Sequence, residues 1–183
     1  MSGLLVFVAV LGAPILHAPV LALDLLKPLK RPLDGGATIG GRRVFGDNKT
    51  WRGAIFMVSG PALAAVALTR WPAYRDALPD DVADAPPLLW GALVGLGLVV
   101  GELPNSFLKR RLNIAPGTQR RTPGGLALIV LDQADLVPGV WLCLAPVYVL
   151  GPATVAVAVV AVTVVHLLIN VVGYAIGARA SPI

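Results

Sequence analysis

Residues Gly151–Leu168 read GPATVAVAVVAVTVVHLL, with no Asp, Glu, Lys or Arg within the run and the same apolar character continuing toward Gly177. Crossing a bilayer's hydrocarbon takes about 20 apolar residues as a helix, and this stretch supplies them. Its β-branched residues would favour a strand in water. In lipid, however, an open sheet edge leaves backbone N–H and C=O groups unpaired, so the reading is a transmembrane helix.

Four more segments satisfy the same criterion, giving spans of about 3–26, 52–69, 88–108, 124–149 and 152–177. Pro14, His17 and Pro19 in the first predict a kink or break. Polar residues near Asp132 and Asp135 interrupt the fourth. The expected fold is an all-α integral membrane protein of about five transmembrane helices, one polytopic membrane domain over residues 1–183. Composition agrees: 56% of residues are apolar, 14% are charged and the mean hydropathy is +0.78, which excludes a soluble domain of this size. The N-terminal MSGLLVFVAV has no basic region and no evident cleavage site, so it reads as a retained span and not a signal peptide. The single cysteine, Cys143, excludes an internal disulfide and sits among apolar neighbours as an inert buried thiol.

The charges orient the spans. Lys27, Lys30, Arg31, Arg42, Arg43, Lys49 and Arg52 follow span one, Lys109, Arg110, Arg111, Arg120 and Arg121 follow span three, and Arg179 lies in the tail. That places 13 of the 15 basic residues on one side, leaving Arg70 and Arg75 opposite with Asp76, Asp80, Asp81 and Asp84. The positive-inside rule therefore predicts an N-terminus outside an integral cell membrane, with two basic loops in the cytoplasm. The net charge of +5 is distributed to meet anionic headgroups, not nucleic acid.

Ionisable residues at span boundaries cost about 2.5 kcal/mol or more at mid-membrane and are site candidates by default. Four clusters stand out. Gly46-Asp47-Asn48-Lys49-Thr50-Trp51-Arg52-Gly53 lacks the spacing and preceding strand of a P-loop, but its flexible backbone, Lys49 and Arg52 suit phosphate oxygens, and Asp47 suits a metal. An ordinary basic surface loop is the plainer alternative. Glu102, Ser106 and Lys109 fall at i, i+4 and i+7, one polar stripe on an apolar helix. Pro104 is expected to distort this turn, and Arg110 and Arg111 also read as a membrane-surface anchor. Asp132 and Asp135 at i and i+3 share a helix face and can jointly hold a divalent cation, or pair with Lys109 or Arg110. His166, Asn170 and Tyr174 form a polar stripe that helix packing explains as well as a ligand does. Nucleotidyl transfer uses all four elements: carboxylates for Mg²⁺, cations for the triphosphate, and a phosphate nucleophile held in line. A lipid-borne nucleophile requires a site open to both bilayer and cytoplasm.

GDNKTWRG (46–53), SFLKRR (106–111), DQAD (132–135) and the His166, Asn170, Tyr174, Gly177 spacing resemble the CDP-archaeol synthase family, within the wider group of CTP-dependent phosphatidate cytidylyltransferases. The resemblance runs from about Pro19 to Gly177. It implies a five-span fold, Mg²⁺, CTP and a membrane lipid phosphate as substrates, and CDP-lipid plus pyrophosphate as products. It further implies that Asp132 and Asp135 are metal carboxylates. Asp47, Asn48, Lys49, Thr50 and Arg52 would belong to the nucleotide loop, and Ser106, Lys109 and Arg110 to a phosphate-binding S-x-x-K-R element; Asn170 would contact substrate. The chain departs from the family pattern at Glu102, where Asp is expected as a further metal carboxylate, at Pro104-Asn105, and at Thr122-Pro123-Gly124-Gly125 ahead of DQAD. Both an isoprenoid ether lipid and a diacylglycerol phosphate remain open as the substrate.

Two other classes fit the sequence less well. A CDP-alcohol phosphatidyltransferase needs D-G-x₂-A-R, which Asp34-Gly35-Gly36-Ala37-Thr38 does not provide. A small transporter or membrane scaffold also uses intramembrane charges, but no inverted repeat is present and the polar clusters gather toward one face.

Overall fold

A computed structural model describes residues 2–115 and 135–175, apart from the side chains of residues 166, 169, 170, 172, 173 and 175. The chain is mostly helical. It enters as a tight 3₁₀ segment, Ser2–Leu11, continued by α1 (Gly12–Ala22). Together they span 21 residues. The change of winding falls at Gly12; Pro14 lies in the first turn of α1, where a missing N–H is tolerated. The helix ends at Ala22, short of the expected 26, where Asp24 and Leu26 take positive φ.

After the first basic loop come α2 (Trp51–Leu68), two short helices α3 (Pro72–Arg75) and α4 (Asp80–Asp84), and the long α5 (Pro87–Arg111). At 25 residues, α5 is about 37 Å long. It runs on through Pro104 and carries Lys109–Arg111 as helix, three residues beyond the expected end. The 3₁₀–α1 rod, α2 and α5 are each long and apolar enough to cross a membrane.

Residues 124–134 of the expected fourth span lie outside the described residues. The described part is α6 (Leu136–Leu144), which gives way to a turn at Ala145–Val147 and so stops before 149. Pro146, with no N–H to continue the ladder, accounts for the stop. Last comes α7 (Pro152–Ala175).

The helices pack through missing side chains. A Cβ at Gly97 of α5 would lie 2.5 Å from Val140 Cα of α6, and one at Gly91 2.6 Å from Ala65 Cβ of α2. Close backbone approach through small residues is how helices associate where lipid supplies no hydrophobic drive. Trp90, Val94 and Leu98 of α5 meet Val6, Ala65, Val140 and Leu144 in the core.

The bundle has two chemically distinct ends. At one, Tyr74 of α3 donates a 2.8 Å hydrogen bond to Leu5 O, near the N-terminus, and burial pushes its phenol pKa up to about 12. At the other, the first basic loop docks on the C-terminal end of α5. This loop carries a hairpin of β1 (Thr38–Ile39) and β2 (Arg42–Arg43). Gly40 and Gly41 turn it with φ of 58° and 73°, values that suit a two-residue I′ turn.

Candidate active site

The loop before α2 is built to present Lys49. Leu33 N donates to Lys49 O at 2.7 Å and Trp51 N to Arg31 O at 3.0 Å, so 31–33 and 49–51 run as a short antiparallel pair. Thr50 caps α2, its Oγ1 accepting from Gly53 N at 3.1 Å. A threonine N-cap contributes about 1 kcal/mol and fixes where the loop ends. With that geometry Lys49 reaches Glu102 on α5 in an ion pair whose two side chains are each 21% exposed.

Asp34 organises the remainder of the loop. Its side chain is 1% exposed. Its carboxylate accepts from the N–H groups of Gly36, Phe45 and Gly46, each at 3.0 Å, and from the Arg43 guanidinium. Burial works against the charge, but Arg43 and the three N–H donors outweigh it and hold the carboxyl well below the usual carboxylate range. Arg43 also pairs with Asp47, whose side chain is 74% exposed. Arg111 pins the hairpin from below. It donates to the carbonyls of Ile39, Arg42 and Arg43 while its guanidinium lies 4.9 Å from the Phe107 ring centroid. The anchor alternative for Arg111 is thereby replaced by a specific clamp.

Two hollows meet at Glu102. The more polar, a cleft of about 300 Å³, is set with Asn48, Lys49 and Thr50 from the loop, His17 from α1 and Glu102 from α5, while apolar residues such as Leu33, Met57 and Leu103 make most of its lining. An apolar groove of about 340 Å³ runs between the first rod, α5, α6 and α7, past Phe7, Leu11, Leu98, Val162 and Val165. Ala13, Pro14, Met57 and Glu102 line both.

The stripe expected on α5 forms. Ser106 is buried and Lys109 part-buried one turn on, while Arg110 is 7% exposed with Nε and one terminal nitrogen lacking a hydrogen-bond partner among the described residues. Buried guanidinium N–H groups left this way cost free energy until an anion meets them. Arg52 is placed differently from the expectation of a ligand contact. It is 4% exposed and donates to Asp24 at 3.0 Å and to Leu25 O at 2.8 Å, tying the end of α1 to α2.

Asp135 precedes α6, its backbone against Gly101, and Asn105 Nδ2 donates to its carboxylate at 3.4 Å. Asp132 lies outside the described residues, as do the side chains of His166 and Asn170; Tyr174 is half-exposed on α7. Among the described residues no three His, Cys, Asp or Glu side chains gather as a ligand set. Asp47 and Glu102, expected as metal carboxylates, are held instead by Arg43 and Lys49. The Asp135 carboxylate itself offers hard oxygens, which fit Mg²⁺ in kind.

Reading the sequence missed Asp34, Asp24 and Asn105. Asp34 was legible as an Asx turn from Asp-Gly-Gly, a motif that caps its own backbone two residues on. Asp24 and Asn105 gain their partners only through tertiary contacts.

Comparison with known proteins agrees with this architecture. The family model described as CarS-like CDP-archaeol synthase matches residues 22–182. The CDP-archaeol synthase of Halobacterium salinarum is 41% identical over 161 residues, covering 83% of each chain. That of Methanoculleus marisnigri is 36% identical over 160 residues, covering 82% of this chain and 89% of its own. A solved intramembrane enzyme for archaeal membrane lipids biosynthesis superposes with a TM-score of 0.65 at 25% identity, over 91% of both chains. Matched over most of its length by model, sequence and fold alike, this chain belongs to the CDP-archaeol synthase family.

Proposed function

We propose that this integral membrane enzyme transfers the cytidylyl group of CTP to a membrane lipid phosphate at the junction of the polar cleft and the apolar groove. A lipid phosphate oxygen attacks the α-phosphorus of CTP. The bond from that phosphorus to the α–β bridging oxygen breaks, and pyrophosphate leaves, so the products are CDP-lipid and pyrophosphate. The observation that carries the reading is the sharing of Glu102, Met57, Ala13 and Pro14 by both hollows. A molecule with apolar tails and an anionic head fits across that boundary, tails in the groove and phosphate beside Lys49.

For the described groups, placement supports a task for each. Lys49, presented by the capped loop, neutralises phosphate charge. Asn48 and Thr50, with the loop backbone, line the nucleotide side, and Asp47 lies at the exposed rim. Ser106, Lys109 and Arg110 face phosphates from the end of α5, and Arg110 offers N–H groups that no described residue satisfies. Arg52 keeps α1 and α2 in register around them. Asn170 of α7 is assigned a substrate contact on the motif it shares with the family, not on its placement. Asp135, with Asp132, would hold Mg²⁺, and Asp47 and Glu102 would join that set only by leaving Arg43 and Lys49. When bound, the metal supplies positive charge against the triphosphate. The basic end of the bundle is assigned to the cytoplasm and the N-terminus to the outside, the orientation that the distribution of lysine and arginine favours.

The relatives' printed name, CDP-archaeol synthase, makes an isoprenoid ether lipid phosphate the first substrate to try. Detergent-purified protein given CTP, Mg²⁺ and either an ether-linked or a diacyl lipid phosphate should form CDP-lipid faster from the ether. Equal rates would remove the lipid assignment, and no product from either would remove the function.

A further inference from the structure

His17 lies on α1, ahead of the residues matched by the family model, and belongs to none of the motifs from which the site was read. It nonetheless forms one wall of the polar cleft, together with Lys49 and Glu102. Its ring stacks on Phe56 of α2, with centroids 5.5 Å apart and planes at 6°. The Cε1 edge faces Gly53, where an added Cβ would approach to 3.9 Å. The imidazole is therefore held in one plane by α2, beside the loop that presents Lys49. Its Nε2 is buried and has no hydrogen-bond partner among the described residues. A buried ring nitrogen without a partner costs about 1–3 kcal/mol, and a cleft is where a ligand can remove that cost.

The position along α1 identifies the ligand. Ala13 and Pro14 precede His17 by four and three residues, which places all three on one helix face. Ala13 and Pro14 line both the apolar groove and the cleft. A lipid with its tails in the groove brings its head past Ala13 and Pro14 to His17, whereas a nucleotide approaches from the side of Asn48 and Thr50. We infer that His17 is a binding residue for the lipid phosphate, its Nε2–H donating to a phosphate oxygen that Lys49 also neutralises. This inference rests on the proposed reaction for the nature of the lipid, but not on turnover.

Two substitutions separate the hydrogen bond from the ring. His17→Phe keeps the stack on Phe56 and removes the nitrogen; His17→Gln gives up the stack and keeps an N–H donor. Binding to the full chain in detergent is titrated with an ether-linked lipid phosphate, with the same lipid lacking its phosphate, and with CTP. For His17→Phe, the Kd for the lipid phosphate should rise roughly tenfold. The Kd for the phosphate-free lipid and for CTP should stay within about twofold, and His17→Gln should recover most of the loss. The inference is overturned if His17→Phe leaves phosphate preference intact, if CTP binding weakens instead, or if both lipids weaken equally. Because no product is measured, an inactive wild type would count against the reaction while these affinities still decide the role of His17.

Discussion

Lys49, at the end of the first basic loop, pairs with Glu102 in the C-terminal half of α5, across 53 residues of sequence. The pair stands where the polar cleft meets the apolar groove, and it ties the first basic loop to the longest helix among the described residues.

Both partners are mostly shielded, so their coupling should exceed that of a surface pair while staying far below a dry Coulomb value. A double-mutant cycle of Lys49→Met and Glu102→Gln, read by thermal unfolding in detergent, should give a coupling of about 1 kcal/mol. Additive single effects would show that the pair does not join loop to helix.

Gly97 has no room for a side chain against Val140. Gly97→Val should force α5 and α6 apart and cost about 3 kcal/mol or more. The check is yield and melting temperature of the detergent-solubilised variant. A melting temperature within a degree or two of wild type would contradict the packing described.

Asp34 gives the loop a pH signature. Its folded-state pKa is depressed, so the stability it contributes is present above its unfolded value of about 3.9 and is lost as pH falls below that. Asp34→Asn should therefore be less stable than wild type at pH 7, and the gap should close on acidification below about pH 4. A gap that does not change with pH would mean that the carboxylate's charge plays no part.

Asp135→Asn should lower turnover roughly hundredfold, equivalent to about 2.7 kcal/mol of barrier, and should abolish any thermal stabilisation by Mg²⁺. Arg75→Ala, at the opposite end of the bundle, should leave both unchanged. Retained Mg²⁺ stabilisation in Asp135→Asn would take that residue out of the metal set.

Span positions were legible because hydropathy and helix length are local quantities. The expected segments 52–69 and 88–108 fall within a few residues of α2 and α5. Deviations occur where one residue's chemistry overrides the average, as at Pro146 beyond α6 and at Asp24 and Leu26 after α1. The site was legible as residue types but not as pairings. Arg52 and Lys49 look alike in a basic loop, and only tertiary contacts send one to Asp24 and the other to Glu102. Arg111 looked like a surface anchor because its acceptors are backbone carbonyls 68 to 72 residues away.

The most direct test follows the phosphorus atoms of CTP. Purified protein is given Mg²⁺, an ether-linked lipid phosphate and CTP labelled at either the α or the γ position. The account predicts that the α label enters the lipid fraction while the γ label leaves as pyrophosphate in equal amount. Transfer of the γ label to lipid, or recovery of both labels in unchanged CTP, would contradict it.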